Sequence, residues 1–307
     1  MKKILLAVAL ISFIAVGCGV KNATTFPPPE DPQAVLDTAW SRYDSLDFAT
    51  AKAKFEKVIR MDNTIPEAHL GLAWSEVALN RPDLAQSAFS FAMILSGGSM
   101  AQPVFHEIIL PSDTDRYWFE IDTVAGTVDT FTVVELQHRP VIGVSSASIN
   151  YVNQTLREIT DSTITIAAQI INDSVAGPHI KDTLVVNYFI FKNVADSDSV
   201  QVNLFAHIGT AVAAASNTEG KYLMTAIAYA NAAVKHGVPS GFVHYPYIDE
   251  TGTRLVLAES YFWSGLMANC VRELKIIDPN WTFNGDPYDP DNYWIILNKL
   301  NEEIGSN

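Results

Sequence analysis

The sequence predicts an α+β chain in which antiparallel helical hairpins are interrupted by an antiparallel, β-rich insert. Three observations carry that expectation. Residues 32–98 repeat themselves at an offset of thirty-four, residues 103–199 change from helical spacing to alternation, and alanine-rich helical spacing returns from residue 200. The 307 residues suffice for one large or two to three small domains. Apolar residues make up 48% and charged residues 18%, so the chain is neither disordered nor a charge-laced coiled coil. Twenty basic against 34 acidic side chains give a net charge of −14 without a basic cluster, which disfavours nucleic acid as a partner. Cys18 and Cys270 are too few for a disulfide framework or a thiolate metal cage.

Residues 1–17 place Lys2 and Lys3 before a charge-free run from Ile4 to Gly17. That run is too short to cross a bilayer as a helix and reads as a signal peptide. Ala15-Val16-Gly17-Cys18 resembles the lipobox of bacterial lipoproteins. The resemblance implies that Cys18 carries a diacylglycerol, making the mature chain a palmitate-type lipoprotein held on a membrane. Gly19 follows the cysteine, and the Asp that favours inner-membrane retention in the enteric pattern is absent, so the outer membrane is the expected location. Residues 18–31, with Phe26-Pro27-Pro28-Pro29-Glu30, suit an extended lipidated tether. Ordinary secretion with a structural Cys18 is the other reading.

The offset of thirty-four pairs Leu36 with Leu70, Ala39 with Ala73, Trp40 with Trp74, Ser41 with Ser75, Ala51 with Ala85 and Phe55 with Phe89. Each unit has two amphipathic runs around a polar break, and Pro66 and Pro82 stand where a helix start tolerates a missing donor. This pattern resembles the tetratricopeptide repeat, an α-solenoid of helical hairpins. The alanines match its close-approach positions, the two phenylalanines its wedged aromatic and Leu72-Ala73 its leucine-small pair. Leu46 and Asn80 depart from it, standing in the turn where Gly is common.

Alternation then marks strands. Tyr117, Phe119, Ile121 and Thr123 share one strand face, and Phe131 and Val133 lie on another strand. Ile164, Ile166, Ala168 and Ile170 alternate, as do Leu184, Val186, Tyr188 and Ile190. Ala125-Gly126 and residues 172–178 supply turn residues for two hairpins. Helical hairpins occupy residues 200–280: Asn203 to Ser216 pairs with Lys221 to Lys235, and Leu257-Ala258, Tyr261, Gly265, Cys270 and Leu274 resemble a third repeat. There Cys270 takes the small-residue slot of Ala51 and Ala85 and reads as a core thiol. Residues 281–307 form a loop and a last helix, with Asp291 as its expected N-cap through Leu300.

No catalytic signature is present, so no enzyme activity and no cofactor are expected. His236 and His244 flank a serine-containing loop and read as packing or hydrogen-bonding residues. Asp286, Asp289 and Asp291 are a weak calcium candidate, lacking the glycine and distal glutamate of a calcium loop. The stripe Leu36, Trp40, Tyr43 and its copy Leu70, Trp74, Val77 fall on one helix face. In the family resembled, these positions line a groove that receives a peptide or a partner's helix. Alternatively the β module or the tether covers the stripe and makes it core.

The expected function is a lipid-anchored scaffold for protein–protein contacts in an envelope assembly, its partner an envelope protein or peptide. The rival expectation is a surface lipoprotein that captures a glycan for an outer-membrane uptake system, with Trp281, Phe283, Tyr288, Tyr293 and Trp294 as an aromatic platform.

Overall fold

A computed structural model describes residues 30–98, 100–110, 112–113, 115–124, 127–149, 152–167, 183–192, 199–216, 222–238, 244 and 248–306. The signal peptide, Cys18, the tether before Glu30 and the turn residues 125–126 and 172–178 lie outside them.

Among the described residues four helices come first: α1 (Pro32–Asp44), α2 (Phe48–Met61), α3 (Pro66–Ala78) and α4 (Pro82–Leu95). Three begin on a proline, which gives up no intrahelical hydrogen bond there. The carboxylate of Asp31 accepts from the Gln33 amide and that of Asp47 from the Thr50 amide, capping α1 and α2. The turn between α1 and α2 closes with the Asp47 amide on the Arg42 carbonyl (3.0 Å), and the turn between α3 and α4 with the Arg81 amide on the Glu76 carbonyl (2.9 Å). Both turns need a left-handed residue, and the chain places Leu46 (φ 62°) and Asn80 (φ 57°) there. A third such turn, at Gly265 (φ 78°), joins α7 (Glu250–Trp263) to α8 (Met267–Ile277).

Between these groups lie α5 (Ser199–Ala215) and α6 (Leu223–His236). Each helix from α1 to α8 packs on the next, α4 on α5 included, although some hundred residues separate those two in sequence. The first helices α1, α3, α5 and α7 also touch in succession, so the hairpins stack in two layers. One interlock recurs along the stack. Phe55 of α2 lies over Gly71 of α3, and Phe89 of α4 lies over Gly209 of α5; a methyl group at either glycine would fall inside the ring. Phe55 and Phe89 are thirty-four residues apart and both fully buried. The array therefore runs on through the insert. The last helix, α9 (Tyr293–Ser306), packs across α7 and α8, with Lys299 holding Asp278 at 2.7 Å.

Among its described residues the insert holds eight strands in two antiparallel sheets: β1 (Ala101–Ile109), β2 (Tyr117–Val124), β3 (Thr127–Glu135), β4 (Val141–Ile149), β5 (Val152–Asn153), β6 (Leu156–Ile159), β7 (Thr163–Ala167) and β8 (Leu184–Phe191). Their orders are β1-β8-β4-β5 and β2-β3-β7-β6. Val134, Ile164 and Ile166 of the second sheet share one apolar core with Val144, Val186 and Tyr188 of the first. The expected hairpin between the strands at 164–170 and 184–190 is not formed. β7 pairs with β3 and β6, whereas β8 pairs with β1 and β4; residues 168–182 between them, with Ala168 and Ile170, lie outside the described residues. The last helix also differs from expectation: Asp289, not Asp291, caps a 3-10 turn at Pro290–Asn292, and α9 runs on to Ser306.

The insert begins and ends at one place. Ala101 pairs with Phe191, and the Lys192 amide donates to the Met100 carbonyl (2.8 Å). His207 of α5 pins this junction, donating from Nδ1 to the Asn203 carbonyl (2.8 Å) and accepting the Ala101 amide on Nε2 (3.1 Å). Elsewhere Gly143 of β4 meets the backbone of α6 at Ala228, and Asn269 of α8 pairs its amide with both backbone groups of Ile159 (2.8 and 3.1 Å). The insert thus rides on the second-helix layer.

Two predictions follow from the junction. Gly209→Ala should destabilise the protein by about 1–3 kcal/mol in urea denaturation, with the loss reduced when Phe89→Leu is added. Complete burial depresses the His207 pKa from 6.5 to about 4. The unfolded chain therefore binds this proton first, so the contribution is intact above pH 6.5 and is lost as pH falls towards 4. The loss should amount to about 3 kcal/mol, and the difference between wild type and His207→Gln in unfolding midpoint should shrink over that interval.

Candidate functional site

The stripe proposed as a groove is packed. Leu36, Trp40, Tyr43, Leu70 and Trp74 are buried and Val77 is half-buried. The reason lies within each hairpin: Trp40 meets the edge of Phe55 (4.8 Å between centroids), and Trp74 meets Phe89 (5.3 Å). The Trp40 indole donates to Glu67 (3.0 Å), and its ring is stacked by His244 at 4.0 Å. His244 in turn lies 2.9 Å from Asp44. Among the described residues, the cover over Trp40 comes from the α6–α7 connection, whereas the β module packs on α6 and α8. His236 is half-buried and close enough to His207 to act on its charge. Cys270 is buried in the α8 small-residue slot, its thiol pushed up to about 12 by desolvation, so it stays protonated.

A different helix face is uncovered. Leu84, Phe91 and Ile94 of α4 stand exposed with Ser87 at three- and four-residue spacing, and Leu95 extends the row. Phe91 is 57% exposed and Ile94 68%, although α4 buries its other face on α3 and α5.

The acidic loop serves turns. Asp286 accepts from the Tyr288 amide (3.0 Å) and Asp289 from the Asp291 amide (3.0 Å), while Asp291 is exposed. Among the described residues, no three His, Cys, Asp or Glu side chains are grouped to hold a metal ion. The expected aromatic platform is also dispersed. Phe283 is buried with Trp281 stacked on it, Tyr293 packs on Phe262, and of the five only Trp294 is exposed.

Tyr288 has another position. With Phe131 of β3 it encloses Arg157 of β6, whose guanidinium carbon lies 3.4 Å from the Phe131 centroid and 4.2 Å from that of Tyr288. The Tyr288 hydroxyl donates to the Arg157 carbonyl and accepts the Ala268 amide (3.4 Å). Burial raises its pKa to about 12, which keeps it a donor. Beside this stack is a cleft of about 320 Å³ between the second sheet and the loop 286–288. Asp286 borders it 3.8 Å from the Arg157 guanidinium, Glu158 and Thr165 border it from the sheet, and Glu120 stands at the rim. Sequence reasoning named Asp286, Tyr288 and Phe131 for other reasons and missed Arg157, Glu158 and Thr165. Arg157 and Glu158 belong to β6, Thr165 to β7 and Phe131 to β3, and only the register of these strands brings them together.

No protein-family model, curated protein or solved structure matches the chain.

Burial assigns the stripe a measurable role. Trp40→Ala and Trp74→Ala should each cost about 3–5 kcal/mol in urea denaturation, as core aromatics do. A loss below about 1 kcal/mol at either site would show that its ring is dispensable to the core.

Proposed function

We propose that the chain is a lipid-anchored cell-envelope scaffold of tetratricopeptide-like hairpins, tethered to the outer membrane through Cys18, that binds an amphipathic helix of a partner protein along the exposed row of α4. One observation carries this reading: a repeated hairpin stack leaves Leu84, Phe91, Ile94 and Leu95 uncovered on one helix. Stacked hairpins supply a rigid, extended surface and need no chemistry of their own. The three- and four-residue spacing of the row is the spacing a second helix matches with its own apolar stripe. The net charge of −14 keeps such a surface soluble without directing it to a polyanion.

Two measurements test the reading. A photocrosslinking amino acid at position 91 should yield a discrete protein adduct in intact envelopes, removed by Ile94→Glu. The same probe at Leu46, exposed on an interhelical turn, should yield none; equal adducts at both positions would eliminate the α4 surface. Cys18→Ser should abolish labelling by radioactive palmitate and release the chain from the membrane fraction, and labelling that persists would remove the anchor.

A further inference from the structure

We draw no further inference here: the strongest candidate, the exposed side chains of Trp263 at the end of α7 and of Trp294 and Ile295 at the start of α9, beside the ring contact of Phe262 with Tyr293, is an apolar surface for which nothing in the structure shows what covers it.

Discussion

The seating of Phe89 on Gly209 is the contact on which the rest of the arrangement depends. A helical array gains its stability from each hairpin covering the next, and a hundred-residue excursion threatens that at one point. The chain solves this by repeating on the far side the aromatic-over-glycine interlock that Phe55 and Gly71 make within the first two hairpins. Because α5 takes the place of the next first helix, α6, α7 and α8 continue the stack. The second-helix layer then has the length to carry two sheets. Without the close approach at Gly209, β4 would have no α6 in position and the cleft would lose its α8 wall.

Polar groups complete what apolar packing begins. Asn269 treats the outer edge of β6 as a further strand would, satisfying both backbone groups of Ile159. Asn231 donates to the Ile142 carbonyl of β4 and to the Tyr261 hydroxyl of α7, linking three elements through one side chain. Within the insert, buried Glu107 of β1 accepts from Arg116, from the Tyr188 hydroxyl and from the Gln137 amide, which joins the two sheets at the β3–β4 turn. Carboxylate and guanidinium are buried together there, so each offsets the other's desolvation.

The helical part was legible in the sequence because its repeat places identical residues in identical surroundings. Ala39 and Ala73, or Phe55 and Phe89, each solve one local packing problem twice, and that redundancy is visible without coordinates. The insert was legible only as alternation. β4 escaped because bulges near Gly143 and Ser146 break its period, and β1 carries Pro103 and a register shift. Strand partnership was not encoded locally either, since β7 and β8 each alternate cleanly yet belong to different sheets. The cleft was illegible for the same reason: Phe131, Arg157 and Thr165 converge through register, and spacing along the chain carries no trace of it. For the Trp40 and Trp74 stripe, spacing revealed a shared face but not its cover, because a solvent groove and a covered seam need the same residues.

The common origin and end of the insert at Met100 and Lys192 bears on the order in which the chain is made. Phe89 is synthesised 120 residues before Gly209. During that interval α1 to α4 can pair as local hairpins, but the face of α4 that α5 will cover stays open. Pairing Ala101 with Phe191 brings the two ends of the excursion together. The insert thereby converts a distant encounter between α4 and α5 into a near one, shortening the effective loop that the array must close. The β module is thus the clasp across which the helical stack resumes.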